Sequence, residues 1–246
     1  MWDTFIIRPI TTLALLPPSD PPKMTKRRTL SGNVAIGVFV LALIFIVVSF
    51  CSTSWLISDY RITGAKFDRL GLWAHCFRSL PDPKDEYQRR FYVGCRWIYD
   101  PFTTGYDKIR GFLMPPFLIV TQFFYTLAFI GTLVSFILVL LFFLCFGPEQ
   151  KHFVNLTLLI GIIMVSVGFC AGLGVVVFAI WANQDGWMPG HDNNFFGWAF
   201  ALAIAGSLAA LISGGLFLVE GTVQKKKKTY LKESQTRFEM EQETKA

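Results

Sequence analysis

Four long uncharged runs constrain this chain more than any motif in it. They lie at residues 31–58, 111–148, 153–184 and 193–219. A helix needs about 20 mostly apolar residues to cross a hydrocarbon core roughly 30 Å thick. Each run suffices for one crossing, and none comfortably supplies two with a turn between them. The chain therefore reads as an all-α integral membrane protein with four transmembrane helices, at 32–54, 113–146, 153–182 and 195–219. Between them fall a long first loop at 55–112, a turn at 147–152 and a short loop at 183–194, with a head at 1–31 and a tail at 220–246. Composition agrees: 53% of residues are hydrophobic and 16% charged, against about 25% charge in soluble domains. A soluble enzyme, a disordered chain and a nucleic-acid binder are excluded on these grounds.

Orientation follows from the basic residues. Lys26, Arg27 and Arg28 precede the first helix, and Lys225, Lys226, Lys227 and Lys228 follow the fourth. Basic flanks stay in the cytosol, so both termini are expected there. The head lacks the unbroken apolar core of a signal peptide, because Arg8-Pro9 interrupts it; it reads as a cytosolic, Pro-rich, disordered segment, with Met24 an alternative start. The stretch 54–111 carries ten Lys and Arg against seven acids, but the charge rule weakens as a loop approaches about 60 residues. Cys76 and Cys95, the two cysteines outside the predicted helices, both lie there. Paired cysteines belong in an oxidising compartment, which places this loop outside; two unpaired thiols in a cytosolic loop are the alternative.

The outer loop favours strands. Tyr60-Arg61-Ile62-Thr63 and Arg90-Phe91-Tyr92-Val93 alternate polar and apolar residues, and Gly64, Gly71 and Pro81-Asp82-Pro83 supply turns. A Cys76–Cys95 bridge would close a loop of about 20 residues and contribute about 3 kcal/mol in the chain-entropy model. So small a sheet has little core of its own.

Within this loop stand Trp55, then Gly71-Leu72-Trp73, then Cys76, then Cys95 followed by Arg96, with Arg110 just before the second helix. The ordered set, on four helices with a large first outer loop, resembles the claudin, peripheral myelin and epithelial membrane protein superfamily. The resemblance implies a four-helix bundle with a small disulfide-stapled extracellular β-sheet formed mainly by the first outer loop. It implies that Cys76 and Cys95 pair, that Trp55 and Trp73 anchor the sheet to the bundle and membrane surface, and that Arg110 matches a basic residue carried there. For the tryptophans alone, ordinary interfacial aromatics are the alternative. Eighteen residues separate the cysteines, more than the usual ten or so of claudins. The chain ends in Ala246 rather than a hydrophobic residue, so direct binding to PDZ scaffolds is not expected. The combination suggests a divergent, invertebrate septate-junction claudin-like protein.

Small residues mark the helices. Gly168 and Gly172 lie four apart in the third, and Ala201, Ala205, Ala209 and Ser213 in the fourth, beside a second row of Gly206, Ala210 and Gly214. Such residues let backbones approach closely in lipid; packing within one bundle is the preferred reading, an oligomer face the other. No Asp, Glu, Lys or Arg falls mid-membrane, which argues against a transporter, and Gln122 alone does not substitute. His75, His152 and His191 are scattered, with neither metal-ligand spacing nor a nucleophile or nucleotide motif. No enzyme, cofactor or metal is expected. Asn155-Leu156-Thr157 is a sequon at a cytosolic helix start and should be unused. Cys145 is a candidate palmitoylation site, a buried apolar cysteine being the alternative. The lysine run at 225–228 suits anionic inner-leaflet lipids, and the tail beyond it reads as disordered.

The resemblance implies a structural protein of cell–cell junctions at the plasma membrane, contributing adhesion and a paracellular barrier. Its partners would be membrane lipids and other claudin-like or junction proteins, in cis and in trans, as a homo- or hetero-oligomer, with no nucleic acid. An auxiliary or trafficking subunit of a channel or receptor is the alternative within the same superfamily. The loop's excess of three positive charges would favour anions in any pore that the assembly forms.

Overall fold

A computed structural model describes residues 30–59, 61, 65–81, 85, 87, 89, 91–99, 111, 113–144, 152–182, 184 and 187–245. Among these residues four helices are long and apolar enough to cross a membrane: α1 (Leu30–Cys51), α2 (Pro116–Leu144), α3 (Phe153–Trp181) and α4 (Trp198–Lys245). Lipid offers no partner for exposed backbone amides and carbonyls, so each apolar run closes its own hydrogen bonds as a helix. The 22 residues of α1 rise about 33 Å, enough for one crossing. In the bundle α4 packs against both α1 and α3, and α2 packs against α3. The protein is an integral membrane four-helix bundle carrying a small disulfide-stapled sheet.

Glycines set the close approaches. A Cβ on Gly168 would stand 2.9 Å from the Leu211 amide nitrogen, and one on Gly214 would stand 2.7 Å from that of Val165. Together they bring the α3 and α4 backbones into contact, as small residues do in lipid. Two expectations need correction. At Gly172 a Cβ would meet nothing within 4 Å, so this glycine joins no interface. On α4 the buried row runs through Ala199, Ala203, Gly206, Ala210, Gly214 and Phe217, whereas Ala201 is exposed and Ala205 and Ala209 are half-buried. Neighbouring rows of one helix differ by about 100° of rotation. Spacing of four alone did not say which row turns inward.

Among the described residues, five strands form one antiparallel sheet in the order β4-β3-β2-β1-β5. They are β1 (Leu56–Ser58), β2 (Phe67–Leu70), β3 (Ala74–Pro81), β4 (Phe91–Trp97) and β5 (Asn194–Phe196). Arg61 sits in a turn, and the other residues of the Tyr60–Thr63 alternation lie outside the described set. The fifth strand comes from the second loop, where the sequence suggested the start of a membrane helix. Asn194, Phe195 and Phe196 pair with Ser58, Ile57 and Leu56, and the helix begins only at Trp198.

The largest departure is at the C-terminus. The segment after residue 220, expected to be disordered, continues α4 to Lys245. Its 48 residues span about 72 Å, more than twice the hydrocarbon thickness. An existing helix needs no new nucleus, residues 222–245 contain neither Gly nor Pro, and Glu233 and Arg237 have the favourable i, i+4 order. Where the apolar run ends, Glu220 is buried. A Cβ on Gly32 would lie 3.5 Å from its carboxyl carbon, so this acid rests against the positive end of the α1 dipole.

Candidate functional site

The sheet is seated on the bundle at the short link between α1 and β1. There Trp55 is fully buried. Its indole Nε1 donates to the Ser49 carbonyl at 2.8 Å, and its ring meets Tyr125, Phe178 and Phe200 edge-on at 5.0, 5.1 and 5.8 Å. Thus α1, α2, α3 and α4 all touch one side chain. An indole supplies a large apolar area and one N–H that needs an acceptor when buried; the last turn of α1, where carbonyls lack helical partners, provides it. Ser49 Oγ in turn donates to the Ala199 carbonyl at 2.8 Å, tying the end of α1 to the start of α4.

Two glycines clamp this link from opposite sides. A Cβ on Gly71 would collide with the Ser52 carbonyl oxygen and lie 2.7 Å from Thr53 Cα. A Cβ on Gly197 would collide with the Ser54 carbonyl oxygen. Neither glycine has a positive φ, so space rather than backbone conformation demands them. The Trp55 amide donates to the Leu70 carbonyl at 2.8 Å, and the Gly197 amide donates to the Trp55 carbonyl at 2.9 Å.

Leu72 and Trp73 make the second attachment. Leu72 is fully buried, and its carbonyl accepts a hydrogen bond from Gln122 Nε2 on α2. The Tyr99 hydroxyl donates to Gln122 Oε1 at 3.4 Å. Gln122 therefore latches the sheet to the second helix. The Trp73 ring packs at 5.2 Å from Phe50, which stacks at 4.1 Å on Phe129. Leu72 and Trp73 thereby face the bundle while the strand behind them runs outward.

Cys76 and Cys95 are directly opposed on β3 and β4 and form a disulfide. Cys76 is buried and Cys95 exposed. Beside Cys76, His75 is buried and neither ring nitrogen has a hydrogen-bond partner among the described residues. Loss of hydration pushes its pKa down to about 3. Its imidazole is a neutral core ring near Phe77. Asp68 accepts hydrogen bonds from Arg69 Nε at 3.0 Å and Arg78 Nε at 3.2 Å across the sheet. No cluster of three metal-ligating side chains occurs among the described residues.

The signature residues Trp55, Gly71, Leu72 and Trp73 thus meet in one seam between sheet and bundle, while Cys76 and Cys95 staple β3 to β4 within the sheet. Arg110 and Cys145 lie outside the described residues. Sequence reasoning missed Gln122 as a latch, Gly197 as the second clamp, and the Tyr125–Phe178–Phe200 cage. A lone amide in an apolar helix was the available signal, since such a group must find a partner. A glycine between Phe196 and Trp198 was the second.

The edge strand β4 exposes Phe91, Val93 and Trp97. The seam holds the sheet in a fixed pose and β4 forms its outer border. A family model described as PMP-22/EMP/MP20/Claudin tight junction matches residues 40–219, from the middle of α1 to the end of the apolar part of α4. No curated protein matches the chain. The matched span contains the four apolar helical stretches, the Trp55–Gly71–Leu72–Trp73 seam and the disulfide, and the chain belongs to the PMP-22/EMP/MP20/Claudin family.

Proposed function

We propose that this protein is a structural component of cell–cell junctions, adhering neighbouring cells and restricting the path between them. One observation carries the reading. Among the described residues, β4 is the edge of the stapled sheet and exposes apolar side chains: Phe91 is 53%, Val93 62% and Trp97 58% exposed. Natural proteins usually blunt such edges with charge or cover them, and exposed apolar patches mark interaction surfaces. An edge strand offers both unpaired backbone groups and aromatic anchors to another sheet. Membership in a family that includes claudins supports a junctional setting.

In this reading both termini are cytosolic and the sheet is outside, with helices at 32–54, 113–146, 153–182 and 195–219 as the membrane segments. Trp55, Trp73 and the disulfide hold the sheet, β4 meets junction proteins, and the plasma membrane at lateral contacts is the site of action. The septate junction is the proposed setting. The test is imaging of an endogenously tagged protein in a polarised epithelium, with tracer leak measured after depletion. A junctional belt with leakage is expected, and replacement by a Val93→Ser/Trp97→Ser variant should leave surface delivery intact while the leak persists. Uniform or intracellular distribution with intact sealing would overturn the junction role.

A second reading has its own observation. Ala201 on α4 faces outward from the bundle, with Ala205 and Ala209 half-buried along the same row. Such a row admits a partner helix at close range, as an auxiliary subunit of a channel or receptor would need. Stoichiometric co-purification with one such protein, abolished by Ala205→Leu, would select it.

A further inference from the structure

Where α4 leaves the apolar region it forms a cleft with the first turns of α3. The cleft has a volume of about 290 Å³ and is lined by Lys225, Lys228, Thr229 and Lys232 from α4 and by Val154, Asn155 and Leu158 from α3. Lys225, Lys228 and Lys232 follow i, i+3, i+7 spacing and so share one face of the helix. Lys226 lies in the adjoining groove beside Tyr230 and Glu233. Among the described lining residues there are three ammonium groups, an amide and a hydroxyl, but no carboxylate. Close helix packing builds the cleft: a Cβ on Gly221 would stand 2.6 Å from Leu158 Cδ2, and Lys225 follows one turn later.

We propose that this cleft binds the headgroup of an anionic membrane phospholipid that carries more than one phosphate. The proposal rests on the sidedness given above, with the C-terminal end of α4 in the cytosol, where anionic lipids concentrate. Position argues for a lipid. The apolar run ends at Val219, and Lys225 lies six residues further on, about 9 Å along the axis. The interfacial layer on each side of the hydrocarbon is about 5–7 Å deep, so the Lys225 backbone stands just beyond it, within reach of the headgroups through its long side chain. Val154 and Leu158 line the same cleft and give the glycerol and upper acyl segments an apolar wall. Number argues for several phosphates. Lys225 and Lys232 are seven residues apart, about 10 Å along the axis, beyond the reach of one phosphate but within the span of a polyphosphorylated ring. Ammonium groups serve phosphate as point charges, and Asn155 and Thr229 supply neutral hydrogen-bond partners.

The test compares two charge-matched pairs in the full-length protein in detergent. Polarisation of a fluorescent short-chain phosphatylinositol bisphosphate reports binding. Lys225→Gln/Lys228→Gln should weaken it about 30-fold, from about 1 kcal/mol per basic residue. Lys226→Gln/Lys227→Gln, from the same run at the same depth, should weaken it less than about threefold. Short-chain phosphatidylserine should compete poorly, and free inositol phosphate and inorganic phosphate should compete more weakly than the lipid. Equal losses in the two pairs would reduce the run to unspecific attraction and overturn the proposal, as would absence of binding. Free inositol phosphate competing as well as the lipid would assign the cleft to a soluble anion and overturn the lipid assignment. This binding is read without cells or a membrane, so its failure is distinct from failure of the junction role, read by imaging, or of the sidedness, read by accessibility of a C-terminal epitope on intact cells.

Discussion

Single residues hold this protein where backbone meets backbone. Gly71 touches the Ser52–Thr53 backbone, and no side chain can be accommodated without moving either β2 or the end of α1. Gly71→Ala should therefore lower stability by about 1–3 kcal/mol through overpacking, read as a lower melting temperature in detergent and reduced surface delivery. Gly172→Ala is the matched control: its Cβ enters open space, and removing a glycine from a helix interior should gain about 0.5–1 kcal/mol. Equal losses from the two substitutions would refute the clamp. His75 makes a pH prediction at the same scale. Its pKa in the fold is about 3 against 6.5 for the free group, so the unfolded chain takes up the proton first. The stability contributed by the neutral ring is complete above about pH 6.5 and falls by about 1.4 kcal/mol per unit as pH drops from there towards 3. Melting temperatures measured between pH 7 and 5 should decline more steeply for the parent than for His75→Phe; parallel curves would show that the burial of this ring carries no proton linkage.

At the scale of elements, α4 is two helices joined without a break. Its first half is held by the bundle, through Ala203, Gly206, Ala210 and Gly214. Its second half is largely exposed, Tyr230 and Phe238 included, and beyond the cleft it shares with α3 it is helical through propensity and continuity. A proline there should act locally. Ser234→Pro removes the hydrogen bond to residue 230 and clashes with its carbonyl, at a cost of about 3 kcal/mol. Hydrogen exchange should show protection lost beyond about residue 230 and unchanged in residues 198–219. Loss of protection across the whole bundle would show that the extension supports the membrane part. The sheet works the other way, since none of its strands is longer than eight residues. It depends on the Cys76–Cys95 bridge, on Trp55 and on Gln122 for its pose.

The whole molecule is a disulfide-stapled sheet seated on a four-helix bundle, and on the sidedness proposed above the charge of its first loop would matter where such loops line a pore. Among the described basic residues of the sheet, Arg69 and Arg78 are engaged by Asp68, and Arg89 and Arg96 stand over the Tyr87 and Tyr92 rings at 5.2 and 5.6 Å. The loop as a whole keeps an excess of three positive charges. A pore formed by such loops should pass anions in preference to cations, because a cleft lined by one sign of charge concentrates the opposite ion. Dilution potentials across a monolayer expressing the protein would measure this, and a cation preference would contradict it.

The amino-acid sequence alone determined the membrane class, the helix count and the location of the sheet. Hydrophobic runs of bilayer length are local properties, and so is the order Trp55, Gly71-Leu72-Trp73, Cys76, Cys95. Sequence patterning also placed strand character at Phe91–Val93. It did not tell which of two small-residue rows on α4 turns inward, because both have spacing four and only the neighbouring helices choose between them. It did not reveal that Gln122 reaches Leu72, that Gly197 closes on Ser54, or that β5 crosses from the second loop to β1. Those contacts join residues from 50 to about 140 positions apart, and neither partner's neighbours in the chain carry a trace of the other. The tail was misjudged for a related reason. Its charges suggested disorder when it was read as a separate segment, whereas in the folded chain it inherits a formed helix and needs only propagation.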